Sequence, residues 1–274
     1  MTMPVAIALR GASGRMGQAL REQVAASREC VLAAALVRPG SPAVGEPANA
    51  DGSVRLAATL APASPVQVLV DFSRADGFDG GLSLALERRF AFVSGTTGLS
   101  DVQQEAMQAA AQAIPVLWSA NFSLGVAVLA RLVGEAARLL PRWDSGIVET
   151  HHRGKRDAPS GTALALGRGI AAARGQAFEA VARMPHDTGM DATAGATAFA
   201  SLRVGDVAGE HTVVFAADGE RLEFTHRATD RAIFARGALA AACWLAEQPA
   251  GFYSLADVLQ PPAPGGRTPA PGPA

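Results

Sequence analysis

Residues 149–162 read E-T-H-H-R-G-K-R-D-A-P-S-G-T, placing two adjacent imidazoles, three cations and two carboxylates within fourteen residues of a chain that is only 18% charged. The cluster follows the strand-like run Gly146-Ile147-Val148, and its Asp157-Ala-Pro-Ser160-Gly segment suits a turn capping a helix that begins near Thr162. A strand end feeding a helix N-terminus aims unpaired backbone N–H groups into the space shared by His151, His152 and Lys155, and such a place binds anions. A carboxylate can rest on Ser160, Gly161 and Thr162 while Lys155 neutralises charge. One histidine, titrating near neutrality, can then pass a proton to a reacting carbon. Glu149 and Asp157 fit as groups that orient these cations. Two blander readings are a zinc site and plain surface histidines. Adjacent histidines face different ways on a strand, with no Cys or third His nearby, which disfavours a metal; the density of charge disfavours a merely solvated face.

The elements that position this cluster begin with a nucleotide-binding pattern. Val5-Ala-Ile-Ala-Leu9 is a short apolar strand that runs into Gly11-Ala-Ser-Gly14-Arg-Met-Gly17 and then a helix through about Ser27. Strand, glycine turn and helix in that order form a dinucleotide-binding unit: the glycines give a tight turn, close approach of backbone to a pyrophosphate and close packing of helix on strand. Gly11, Ala12, Ser13, Gly14, Arg15 and Met16 are the expected cofactor contacts. A second strand, Cys30 to Val37, ends where such a unit usually presents Asp or Glu to the ribose hydroxyls. Here Val37 and Arg38 stand there. Losing the carboxylate removes a ribose hydrogen bond and also a repulsion towards a 2′-phosphate that Arg38 can pair with, so NADPH is expected in preference to NADH.

Residues 39–65, rich in Pro, Gly and Ala, read as a loose excursion carrying little chemistry. Val66 to Val70 reads as a buried parallel strand ending in Asp71-Phe72-Ser73-Arg74, at the sheet edge where ligands sit; Phe72 either covers part of the dinucleotide or is core. A further helix and strand give Phe90 to Val93 and the turn Ser94-Gly-Thr-Thr-Gly98. A helix from about Asp101 to Ala113 leads to the strand Pro115 to Trp118, the loop Ser119-Ala-Asn-Phe122-Ser-Leu-Gly125 and a helix near Val126 to Leu140. After Pro141 come the histidine strand, a helix to about Arg174, a mobile-looking stretch from Met184 to Gly195, and strands with clearer polar alternation. These are Ala196 to Leu202 and a hairpin of His211 to Ala216 with Arg221 to Arg227 across Asp218-Gly219. Arg236 to Glu247 is a final apolar helix expected to return to the first domain, followed by a short packed segment, Phe252 to Leu259, and a Pro/Gly/Ala tail expected to be disordered. The pattern predicts an α/β protein: an N-terminal Rossmann-type doubly wound parallel sheet over residues 1–122, completed by 235–259, and a second α+β domain on an open mixed sheet over 123–234, for substrate binding and oligomerisation, with 260–274 as tail.

Composition sets outer limits. A chain of 274 residues, 49% apolar, can bury two cores, and a formal net charge of -1 argues against nucleic acid or a membrane surface as the main partner. There is no run of 18 apolar residues and no leader-like N-terminus, so a soluble, cytoplasmic protein is expected. Cys30 and Cys243, in apolar, helical-looking segments far apart in sequence, indicate neither a disulfide framework nor a metal motif, and buried thiols are expected.

Four motifs resemble those of one family. The run H-H-x-x-K-x-D-A-P-S-G-T-A, from His151 to Ala163, resembles the signature of the 4-hydroxy-tetrahydrodipicolinate reductases, long called dihydrodipicolinate reductases, of bacterial and plant lysine biosynthesis. Gly95-Thr-Thr-Gly98 resembles the family's nicotinamide-side loop, and A-N-F-S-x-G-V from Ala120 resembles the loop that closes over the nicotinamide and hinges the domains. Arg203 to His211 resembles its R-x-G-x-x-x-G-x-H segment. The resemblance implies NADPH- or NADH-dependent reduction of a cyclic, unsaturated dicarboxylic imine, with hydride passing to C4 and the ring then holding an enamine-like anion. It gives His151 as proton donor, Lys155 as stabiliser of the charge with a share in the proton transfer, His152 as a substrate holder, and Gly161 and Thr162 as receivers of a carboxylate. Gly95, Thr96, Thr97, Ser119, Ala120, Asn121 and Phe122 would lie along the cofactor, and Arg203 or His211 would support the fold or reach the dicarboxylate indirectly. No metal is implied. A leftover apolar face of the second sheet, with the resemblance, implies a homotetramer. The chain departs from the family pattern at Val37, where an acidic residue is common, and at Met190 and Ala240, where an Arg is common. Other readings are a reductase of a different small keto or imino acid, and a non-catalytic regulator that binds NADPH without consuming it.

Overall fold

Val5 to Leu9 is apolar at every position, the pattern of a strand covered on both faces, and it forms β1 (Val5–Arg10), with Ile7, Ala8 and Leu9 fully buried. The computed structural model describes residues 3–184 and 195–260. From β1 the chain passes through α1 (Arg15–Ala26), β2 (Cys30–Leu36), β3 (Leu56–Ala57), β4 (Val68–Asp71), α2 (Ala75–Arg88), β5 (Ala91–Ser94), α3 (Asp101–Ala110) and β6 (Pro115–Trp118). It continues through α4 (Leu124–Leu139), β7 (Asp144–His151), α5 (Gly161–Ala173), the one-turn α6 (Phe178–Val181), β8 (Ala182–Arg183), β9 (Thr197–Arg203), β10 (Gly209–Ala217) and β11 (Glu220–Ala228). It ends with α7 (Ala232–Leu245), β12 (Gly251–Tyr253) and α8 (Leu255–Val258). Two compact units result: residues up to Leu124 together with those from Ala232 onward, and Gly125–Arg231.

The first unit carries a seven-stranded sheet in the order β12-β6-β5-β4-β1-β2-β3, parallel at every pairing. The chain runs from β1 to β2 on one side and returns to β4 on the other, so the carboxyl ends of β1 and β4 open the crevice in which ligands of such sheets sit. Helices α2 and α3 pack on the face that presents Ala8, Leu69, Phe92 and Val116, while α7 packs on α1 and against β4, β5 and β6. Residues 39–65 differ from the loose excursion expected. Ala48 N–H bonds to Val54 O at 2.8 Å and Leu56 N–H to Glu46 O at 2.9 Å, Asn49 Oδ1 accepts from Val54 N at 3.0 Å, and β3 joins the edge of β2. A two-residue strand among prolines and glycines leaves no periodicity to read.

The second unit is a five-stranded mixed sheet, β11-β10-β7-β9-β8, with β7 and β9 parallel and β10 antiparallel to β7. β10 and β11 close the hairpin across Asp218-Gly219, where Gly219 has φ +78°. Period-two burial along β7 sends Ser145, Ile147, Glu149 and His151 to one face. There Ile147 meets Phe199, Val213 and Phe215 from neighbouring strands, Leu129 and Val133 of α4, and Leu166 and Ile170 of α5. The opposite face leaves Val148 and Leu202 at 40% and 53% exposure. The stretch read as mobile lies, apart from its two ends, outside the described residues, as do the departure at Met190 and the tail from 261 onward.

The cysteines are free thiols: Cys243 is on α7, as the helical reading expects, but Cys30 opens β2 and is not helical. Their sulfurs lie 2.6 Å apart, a juxtaposition hidden by 213 residues of separation.

Candidate active site

Because strand side chains alternate, Glu149 and His151 stand side by side at the end of β7 while His152, past the last strand residue, is half-exposed. His151 Nδ1 lies 2.5 Å from Glu149 Oε2. Arg203, opposite His151 in the β7–β9 register, grips the same carboxylate with both terminal nitrogens, at 3.0 Å and 2.7 Å, a two-pronged geometry well suited to guanidinium. Ser160 N–H adds a fourth bond, to Glu149 Oε1 at 3.2 Å. Burial pushes the Glu149 carboxyl up, but the hydrogen bonds from Arg203 and His151 outweigh it and hold the group below the usual carboxylate range. Burial pulls the His151 imidazole down, and Lys155 and Arg203 add to that pull against the opposing effect of Glu149. An anionic Glu149 therefore fixes the His151 proton on Nδ1, leaving Nε2 as the exchangeable position. Nε2 faces Gly209, where a Cβ would come within 3.1 Å of it.

The turn after β7 folds back so that Lys155 N–H bonds to His152 O at 3.0 Å, and Lys155 Nζ pairs with Asp157 at 2.8 Å. That bond from Lys155 holds the Asp157 carboxyl below its ordinary range. Asp157, not Glu149, thus steadies the lysine. Ser160 caps α5, its Oγ accepting from Ala163 N at 3.2 Å, a contact worth about 1 kcal/mol. Of the four leading N–H groups of that helix, Ser160 N is taken by Glu149 and Ala163 N by Ser160 Oγ. Gly161 and Thr162, exposed and half-exposed, lie between them. Ser160, expected to hold a substrate carboxylate, is instead fully buried with both polar groups engaged. His211 completes the cluster: its Nε2 lies 3.1 Å from Ser160 Oγ and its ring stands edge-on to His151 at 5.2 Å. Burial, then His151, hold its pKa near 4, so it is neutral.

In the first unit, a cleft of about 1080 Å³ is lined by Gly11, Ser13, Gly14, Val37, Arg38 and Phe72, among others. Gly11 has φ +77°, and a Cβ there would fall 2.5 Å from Phe72 O, so the turn admits only glycine. α1 starts at the cleft with Gly14 as N-cap, no side-chain cap bond and no acidic residue in its first turn. A diphosphate fits such a helix start. Ser13, Gly14 and Arg15 are exposed there and Met16 is half-buried, whereas Ala12 is fully buried with its N–H on Leu36 O at 3.1 Å. Val37 is buried and Arg38 exposed on the cleft wall. Residues 39–65, read as carrying little chemistry, contribute Pro39, Ser41, Ala58, Thr59 and Leu60 to that wall.

The loops after β4, β5 and β6 tie to one another. Buried Asp71 accepts from Ser73 N at 3.3 Å and Thr96 Oγ1 at 3.0 Å, and Trp118 Nε1 donates to Thr96 O at 2.9 Å. Thr96 is consequently an internal strut, while Thr97 is exposed. The Phe72 ring lies against Gly95, where a Cβ would come within 2.2 Å of it, and 5.4 Å from the ring of Phe122, which is itself buried. Ser119 Oγ donates to Asn121 O at 2.7 Å, and Asn121 Oδ1 accepts from Ser123 N at 2.8 Å, leaving Ala120 exposed at the tip. Gly237 of α7 passes so close to Phe122 O that a Cβ would meet it at 1.8 Å. Sequence reasoning missed this support, and missed Arg10, whose guanidinium bonds to Gly77 O and pairs with Asp71 at 3.8 Å. The signal for Arg10 is Gly77, Gly80 and Gly81, three glycines within one helix whose missing side chains leave it room.

The family model for the N-terminus of dihydrodipicolinate reductase matches residues 5–122, and the model for its C-terminus matches residues 125–259. The chain belongs to the dihydrodipicolinate reductase family. A 4-hydroxy-tetrahydrodipicolinate reductase from Stenotrophomonas maltophilia is 48% identical over 258 residues, covering 94% of this chain and 98% of that protein. One from Zymomonas mobilis subsp. mobilis is 47% identical over 263 residues, covering 93% and 97%. Among solved structures, the dipicolinate-bound dihydrodipicolinate reductase from Paenisporosarcina sp. TG-14 shares the fold with a TM-score of 0.75 at 22% identity, over 92% of this chain and 98% of that one. Among the described residues, no helix is long and apolar enough to cross a membrane.

Proposed function

We propose that the protein reduces 4-hydroxy-tetrahydrodipicolinate to tetrahydrodipicolinate in lysine and diaminopimelate biosynthesis, using NADPH in preference to NADH. The observation that carries this reading is the Glu149–His151–Arg203 cluster beside the start of α5, in a chain whose relatives bear that reductase name. A dihydronicotinamide, when bound, supplies a hydride to the substrate ring. Gly11, Ser13, Gly14 and Arg15 would hold the diphosphate at the start of α1, Arg38 would take a 2′-phosphate, and Phe72, Thr97 and the 119–122 loop would line the remaining cofactor surface.

The substrate's two carboxylates account for the number of donors in the second unit. One rests on the first turn of α5 at Gly161 and Thr162; His152 and Lys155 meet the ring or the second carboxylate. His151 delivers a proton from Nε2 to the reduced ring, with Glu149 holding Nδ1–H throughout so that the imidazolium is stabilised while it exists. The resting imidazole is neutral, so a dianionic ligand that raises its proton affinity also loads it. Lys155, steadied by Asp157, offsets the developing negative charge and can share the transfer. The outer face of the second sheet, with Val148, Leu202 and the Thr212–Thr225 hydroxyl pair at 3.0 Å, is the surface through which a homotetramer would assemble. The reaction is tested by following absorbance at 340 nm with NADPH and substrate generated in place by the preceding synthase. Oxidation dependent on that synthase supports the assignment; NADPH binding without oxidation contradicts it.

A further inference from the structure

Cys30 and Cys243 are placed by two rigid elements of the first unit. Cys30, 4% exposed, is fixed by its parallel register with Val5 and by Ser27 Oγ accepting from its N–H at 3.2 Å. Cys243 lies in the last turn of α7, which packs along α1, and is half-buried, so a small reagent can reach it. The 2.6 Å separation of their sulfurs brings two free thiols into direct contact. Among the described residues no third His, Cys, Asp or Glu joins them in a group able to hold a metal ion, so bond formation between the sulfurs is the chemistry the pair offers.

We propose that Cys30 and Cys243 are a modification site that closes to a reversible intramolecular disulfide by exchange with a low-molecular-weight disulfide of the glutathione type. The thiolate of Cys243, the more accessible sulfur, attacks one sulfur of the small disulfide; the S–S bond breaks and one small thiolate leaves. Cys30 then attacks Cys243 Sγ, and its proton passes to the second sulfur component as that component leaves as a thiol. Two cysteine thiols and one small disulfide become one protein disulfide and two small thiols, with two electrons passing to the small disulfide. The direct contact with Cys30 holds the Cys243 thiol below its ordinary pKa, which favours it as the attacking group. The bond staples α7 to the start of β2. It joins the two separate pieces of chain that build the first unit, and α7 also backs Phe122 through Gly237.

The test uses the intact purified chain equilibrated across ratios of oxidised to reduced glutathione, then alkylated in denaturant and weighed. Closure is read as loss of two hydrogens with no alkyl groups added, in monomeric protein, reversed by excess thiol. The oxidised chain is also expected to melt higher, by about 5–10 °C, because the closed loop constrains the unfolded chain. Cys30→Ser is expected to capture one glutathione on Cys243, and Cys243→Ser to capture none. Two alkylated cysteines at every ratio, a stable glutathione adduct on wild-type Cys243, or linkage only between chains would each overturn the proposal, whichever way the variants behave.

Discussion

Replacing Glu149 by Gln removes the charge at the centre of the second unit's site while keeping its shape. The carboxylate is 1% exposed and accepts from both terminal nitrogens of Arg203, from His151 Nδ1 and from Ser160 N. A carboxamide has one acceptor oxygen and must turn its NH2 towards Arg203 or His151, so at least one donor is left facing a donor. Leaving the half-buried Arg203 guanidinium without its charged acceptor costs about 1.5–3 kcal/mol, equivalent to a fall of about 5–10 °C in melting temperature for a domain of this size. The proton balance shifts too. Glu149 opposes the burial that depresses His151, so in the variant the imidazolium is harder still to form. With His151 as acid, kcat is highest at low pH and falls as pH rises through the His151 pKa of the complex. Glu149→Gln should move that fall to lower pH and reduce kcat at neutral pH by about 10²-fold. Thermal melts and kcat against pH provide the readouts. A variant that melts with the wild type and keeps its pH profile would refute the orienting role of Glu149.

Three further outcomes follow from the geometry. His211 has a folded pKa near 4 against an ordinary 6.5, so between those values the unfolded chain binds a proton that the folded chain does not. Stability should fall by about 3 kcal/mol from this group as pH drops across that window, with His151 and His226 adding in the same direction, and urea midpoints for His211→Gln should show a shallower slope there. Gly11→Ala sets a side chain at φ +77° and 2.5 Å from Phe72 O, a strain of about 1–3 kcal/mol, and titration should show NADPH binding weakened by at least about 10-fold. Arg38→Ala should lower kcat/KM for NADPH by about 10- to 100-fold, the value of a charge-assisted phosphate contact, while leaving NADH little changed; equal losses with both cofactors would remove Arg38 from the preference.

The parallel sheet was legible because continuous apolar runs and glycine turns are local signals, and the strand–turn–helix around His151 because its charge density stands out against a poorly charged chain. What escaped depends on pairing between distant segments. Arg203 meets Glu149 only once β9 lies parallel to β7 with Arg203 opposite His151, and His211 reaches Ser160 only once β10 lies antiparallel on β7's other edge. Burial of Ser160 and Thr96 turned expected ligand contacts into struts, because a hydroxyl at a helix start or strand end can face either way. The nearness of Cys30 to Cys243 needed the return of α7 to the first unit.

The central claim, that the end of β7 and the turn after it supply the proton and the compensating charge for reduction, is tested most directly by single-turnover NADPH oxidation with substrate made in place, comparing wild type, His151→Gln and Lys155→Ala. Each variant is predicted to bind NADPH as the wild type does and to lose roughly 10²- to 10⁴-fold in rate. Wild-type turnover in either variant would contradict the account.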